Sequence, residues 1–150
     1  DAWDGYPRTM HRLLEYIALN DIKNLIFLSG DEHVSNVTTI DLTTNLSINS
    51  TSNTKAQSTK TRIYSIHSSG LYSPYPFANS NPNDFASKDL FSVGKNNIQC
   101  QVSSTFYPGD GFTLISAYQY KGAWHISSDF SRAGKTLKTS EEVISWTTKL

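Results

Sequence analysis

Asp31 and His33 stand two residues apart directly after Leu25-Ile26-Phe27-Leu28-Ser29-Gly30, and an oxygen and a nitrogen donor at that spacing can share one metal ion. In an extended chain residues i and i+2 project the same way, so both side chains would face the ion while Glu32 points elsewhere. Leu25 to Leu28 are four consecutive apolar residues, which read as a strand buried on both faces, and Gly30 reads as the turn that ends it. Ligands in open α/β sheets collect at the carboxyl ends of strands. Asp-x-His is otherwise a common loop pattern; its weight here comes from the strand that precedes it.

A second imidazole, His67, lies near the end of a stretch from Arg62 to Ser68 that reads as a strand, with Ile63 alternating against Tyr64 and Ile66. His67 is a candidate for the substrate side of a site, against the plainer reading of a hydrogen-bonded surface histidine. Tyr72-Ser73-Pro74-Tyr75-Pro76-Phe77 is stiffened by its two prolines. Tyr72 and Tyr75 are candidate walls of a substrate cleft, unless the loop packs on its own domain.

The elements that must position these groups start near the N-terminus. Met10, Leu13, Leu14, Ile17 and Ala18 recur at helical spacing, Pro7 suits the first turn, and Asn20 is the expected left-handed terminator. Helix, short Asp-Ile-Lys link, apolar strand and Gly-Asp-x-His, with Trp3-Asp4-Gly5-Tyr6-Pro7 ahead of the helix, resemble the last block of the PhoD-type alkaline phosphatases and phosphodiesterases. These belong to the calcineurin-like metallophosphoesterase superfamily. Ser68-Ser69-Gly70 resembles the family's Ser-Ser-Gly segment, and Thr9-Met10 departs from its usual Glu-Arg pair. The resemblance runs well from Asp1 to Thr43, moderately from Arg62 to Asn79, and beyond that only in general β character.

The resemblance implies an α+β fold: the mixed and antiparallel β half of an αββα metallophosphoesterase sandwich. It implies Asp31 as an oxygen ligand and His33 as a nitrogen ligand in a centre that hydrolyses phosphate esters, monoester or diester, with a metal-activated water. Calcium and iron are the implied ions, with manganese or zinc as alternatives, and a periplasmic or secreted setting is implied too. His33 would need a carboxylate or carbonyl on its second ring nitrogen, and the sequence does not show which. The superfamily's early Asp block, its Gly-Asp-x-x-Asp block and its Gly-Asn-His/Asp block do not occur in this chain. The chain also begins without Met. The expectation is therefore a single domain, residues 1–150, forming the C-terminal fragment of a larger enzyme. On its own it would be inactive, with no complete catalytic set.

Composition narrows the partners. Charged residues make up 17% of the chain and cancel to a net charge of zero, which argues against a surface built for nucleic acid. No apolar run approaches the roughly 20 residues of a membrane span. The single cysteine, Cys100, shares a period-two register with Ile98 and Val102 and reads as a buried small hydrophobe.

The rest is mostly strands. Val37 to Thr43 alternates, whereas residues 43–61 are dominated by Ser, Thr, Asn, Lys and Gln and read as a flexible polar loop. Ile98 to Phe106 keeps period two; Pro108-Gly109-Asp110-Gly111 makes a turn; Phe112, Leu114, Tyr118 and Tyr120 resume the pattern. Lys121-Gly122 is a second turn, after which Trp124, Ile126, Ser128 and Phe130 share one face, with His125 and Asp129 opposite. Thr139-Ser140-Glu141-Glu142 is a capping-box pattern, and Val143, Trp146 and Leu150 predict a short terminal helix docked on the sheet, giving a helix near each end.

Two other readings remain open. An aromatic content of 12% and abundant Ser, Thr and Asn fit a non-catalytic β-sandwich that binds carbohydrate or a surface. A half-sandwich would also expose apolar faces and strand edges, so the expected partner is the rest of the parent chain or a second copy.

Overall fold

The computed structural model describes residues 3–30, 33–46, 57–71, 86–95, 98–132 and 143–150. A short 3-10 turn, Trp3–Gly5, precedes helix α1, Pro7–Leu19. Eight strands follow: β1 Ile26–Gly30, β2 Val34–Leu46, β3 Gln57–Ser68, β4 Lys88–Val93, β5 Ile98–Pro108, β6 Gly111–Tyr120, β7 Ala123–Arg132 and β8 Val143–Lys149. They form a five-stranded sheet in the order β1-β3-β2-β5-β4 and a three-stranded sheet in the order β6-β7-β8. The larger sheet is mixed, because β1 runs parallel to β3 while β4 and β5 are antiparallel.

By contact density the chain divides into two compact units. The first comprises Asp1–Leu25, Thr39–Ile63 and Lys88–Ser103. Pro7 opens its helix at the first turn, where a missing N–H costs nothing. The predicted apolar stripe holds, with Leu14, Ile17 and Ala18 buried. The left-handed residue at the helix end is Asp21 (φ 47°), one position past Asn20, whose φ is −98°. Asp21 N–H donates to Ala18 O and Ile22 N–H to Ile17 O, which closes the helix in a Schellman arrangement. Asn20 caps through its side chain instead, Nδ2 donating to Tyr16 O at 2.8 Å. The helix is tied to the β4–β5 turn by Glu15, whose carboxylate accepts Lys95 N–H at 3.0 Å, and by the stacking of His11 on Phe91.

Leu42, Ile63, Val93, Ile98 and Cys100 are fully buried apolar strand positions of this unit. Burial, with smaller effects from the nearby negative charges of Asp89 and Asp41, pushes the Cys100 thiol up to about 11. Asp41 receives both prongs of the Arg62 guanidinium at 2.7 and 2.8 Å, with Lys60 at 3.0 Å. The ends of the polar stretch 43–61 are strand, while residues 47–56 lie outside the described residues: β2 extends to Leu46, β3 starts at Gln57, and Thr44 and Thr61 are buried. Their hydroxyls have partners, Thr59 for Thr44 and Asp21 for Thr61, which is how polar side chains fill interior strand positions.

The second unit comprises Ile26–Thr38, Tyr64–Ser87 and Ser104–Leu150. Val37 and Ile66 from the larger sheet cluster with Ile126 and Phe130 from β7, and Ile26, Tyr107 and Leu150 close the cluster. Tyr107 stacks on Phe130 at 4.5 Å between centroids, and the Tyr64 hydroxyl meets Thr148 Oγ1 at 2.9 Å. Within this unit the two sheets thus share one apolar core. The β6–β7 hairpin turns on Lys121 (φ 49°) and Gly122 (φ 75°), the two left-handed positions a type I′ turn demands.

Two expectations are corrected. β1 is not buried on both faces: it lies at an edge of the sheet, Ile26 and Phe27 are half-buried, and Leu28 is 65% exposed. Four apolar residues in a row look the same in a central strand and in an edge strand, so the run could not tell them apart. The chain also ends in strand β8 rather than a helix, so α1 is the one α-helix among the described residues. Val143, Ile144, Thr147 and Thr148 are β-branched, and β7 offers them an antiparallel partner from Ser131 to His125. The capping-box residues 139–142 lie outside the described residues.

Candidate functional site

Parallel pairing of β1 with β3 sets Ser29 opposite His67 and Gly30 opposite Ser68. Both strands therefore end side by side. A Cβ on Gly30 would sit 3.2 Å from the Ser68 carbonyl oxygen, so the approach of the two strand ends favours glycine there. Ser29 Oγ lies 2.8 Å from His67 Nδ1 and orients that ring.

The loop that follows the second imidazole, Ser69-Gly70, is held in turn. Ser69 N–H donates to Ser35 Oγ at 3.0 Å, and Gly70 O accepts from Gly111 N–H at 2.9 Å. The turn after β5, opened by Gly109 at φ 104°, is thereby fixed against Ser69-Gly70. That turn delivers Asp110, whose Oδ1 lies 3.1 Å from His33 Nδ1. The His33 side chain is 15% exposed and that of Asp110 31%. Ser69 is buried, and its hydroxyl has no hydrogen-bond partner among the described residues.

Of the residues singled out from the sequence, His33, in the bend before β2, and His67, near the end of strand β3, belong to segments that this network cross-ties. Asp31, Tyr72 and Tyr75 lie outside the described residues. His125 stacks on Tyr118 at 5.5 Å, on the face opposite the buried Ile126, Ser128 and Phe130. Two participants escaped the sequence reading. Ser29 was legible only as the tail of a strand, and its role follows from the β1–β3 register. Asp110 was legible only as a turn residue; a carboxylate between two glycines was the available signal.

Among the described residues no three His, Cys, Asp or Glu side chains converge closely enough to hold a metal ion. What is described is one imidazole with a carboxylate behind it, the pairing that metal-bound histidines use to fix their tautomer. The donor chemistry fits a contribution to a metal centre, with Asp31 and further ligands required to complete it.

Comparison with known proteins agrees with the resemblance drawn from the motifs. A family model described as PhoD-like phosphatase matches residues 1–102. Alkaline phosphatase D of Bacillus subtilis (strain 168) is 40% identical over 35 residues, which are 23% of this chain and 6% of that protein. No solved structure matches the chain.

Proposed function

Because the chain belongs to the PhoD-like phosphatase family, we propose that it is the C-terminal portion of a metal-dependent phosphatase or phosphodiesterase and contributes part of its metal centre. The observation that carries this reading is His33, inside the matched residues and paired through Nδ1 with Asp110 at 3.1 Å. Asp31 and His33 would hold a metal ion together with ligands from the rest of the parent protein. When bound, such ions make a water nucleophilic near neutral pH and offset charge on phosphate oxygens. Calcium and iron remain the favoured ions, with manganese or zinc as alternatives.

The other residues have roles toward the ester. His67, oriented by Ser29, would hydrogen-bond a phosphate oxygen, and Tyr72 and Tyr75 would wall the cleft. The chain by itself lacks the superfamily's upstream ligand blocks and is expected to be inactive. The test is hydrolysis of a generic phosphomonoester and phosphodiester with each of the four ions, by this chain and by its full-length parent. Silence from the chain, activity from the parent, and loss of most of that activity in His33→Ala with folding retained are the expected results. Unchanged turnover in the parent's His33→Ala variant would sink the assignment.

One observation favours a second reading, the glycan-binding sandwich. Phe112, Leu114, Tyr118 and Tyr120 recur at period two along β6 and are all exposed, so one sheet face carries an apolar and aromatic stripe. Binding of a polysaccharide without added metal, lost on Tyr118→Ala, would support that reading.

A further inference from the structure

We propose that Asp110 is a positioning residue for His33: its carboxylate accepts the Nδ1–H, fixes the tautomer with a lone pair on Nε2, and so presents Nε2 to the metal ion. The inference rests on the metal-centre reading of His33 and adds to it a residue beyond the range that the family model covers, residues 1–102. Three observations carry it. Asp110 Oδ1 and His33 Nδ1 are 3.1 Å apart. Both side chains are shielded from solvent for most of their area, which strengthens a charge-assisted bond. And the carboxylate is not delivered by a loose loop: Gly111 N–H is bonded to Gly70 O, while Ser69 N–H is bonded to Ser35 Oγ, two residues after His33.

The chemistry needs such a device. A neutral imidazole left to water favours the proton on Nε2, the nitrogen that a metal would then have to strip. A carboxylate on Nδ1 reverses that preference before the ion arrives and holds the ring plane as well. Ser29 stands in the corresponding place behind His67, but a hydroxyl can donate or accept and so selects no tautomer. The two imidazoles of the site are therefore set up differently, one with a defined lone pair and one without.

The test reads the tautomer directly, without activity. Long-range nitrogen–proton correlation spectra of the uniformly labelled, metal-free chain distinguish Nδ1–H from Nε2–H, and His33→Ala identifies the signal among the four histidines. At a pH above the imidazole range, His33 is expected as the Nδ1–H form in the wild type and mainly as the Nε2–H form in Asp110→Ala. Backbone amide spectra show whether that variant keeps its fold. An Nε2–H His33 in the wild type overturns the proposal by itself, which keeps it decidable if the variant does not fold. An Nδ1–H His33 that persists in Asp110→Ala overturns it too.

Calorimetric titration of the full-length parent protein with zinc ion then adds the functional arm. Asp110→Ala is expected to weaken zinc binding by about 10–100-fold. Equal affinity in the two proteins overturns the positioning role. Zinc binding indifferent to His33→Ala overturns the metal reading of His33 instead, and the tautomer spectra still decide whether Asp110 orients the ring.

Discussion

At the scale of single residues, the bonds that matter here join positions far apart in the chain. His33 and Asp110 are separated by 77 positions, Ser29 and His67 by 38. Local spacing marked the two histidines because strand ends and glycines are local signals; their partners come from strand pairing and turn placement, which spacing does not encode. Asp41 makes the same point for stability. The Arg62 fork, then Lys60, holds its carboxyl below the ordinary value of 3.8. An acid whose folded value is depressed stabilises the fold above its unfolded value, and that contribution is lost as pH falls through the folded one. Urea denaturation across acid pH should therefore show stability falling below about pH 4, with a shallower fall in Asp41→Asn. Arg62→Ala should cost about 1–2 kcal/mol at neutral pH, modest because the guanidinium is half in water. An acid limb of equal slope in wild type and Asp41→Asn would contradict the account.

At the scale of elements, α1 and its buried stripe were legible because thirteen residues give the 3.6-residue period room to declare itself, and Pro7 marks its start. Seven residues do not suffice for β8. Val143, Trp146 and Leu150 satisfy helical spacing, yet the β-branched content of the same segment suits a strand, and the open side of β7 decided between them. The hairpin at Lys121-Gly122 was legible for the opposite reason: a two-residue turn has strict conformational demands. Two glycines allow a quantitative check. Gly122 (φ 75°) has open space where a Cβ would go, so Gly122→Ala should cost only backbone strain, about 1–2 kcal/mol. Gly94 (φ 70°) has the Glu15 carboxylate in that space, so Gly94→Ala must also displace the group that accepts Lys95 N–H. Chemical denaturation should rank Gly94→Ala as clearly the more damaging. Equal costs would mean that the Glu15 bond contributes nothing to docking α1.

For the whole molecule, the division into two compact units, each drawn from three separate stretches of chain, was invisible to any reading of local pattern. Exposed apolar area was foreseen, and it is extensive: Leu28 on edge strand β1, Phe112, Leu114, Ile115, Tyr118 and Tyr120 on edge strand β6, and Trp124 beside them. Edges and patches of this kind recruit partners. Sedimentation velocity over a concentration series should show reversible self-association, reduced by Leu114→Lys on the exposed β6 face. A monodisperse monomer at high concentration would show that the molecule tolerates those surfaces. Such experiments benefit from the state of Cys100. A thiol that is wholly buried and ionises only near pH 11 gives almost no thiolate at neutral pH, so it will ignore maleimides and spin-label reagents. A reporter cysteine placed on β1 or β6 can therefore be labelled in the native sequence, with no cysteine-free background to engineer first.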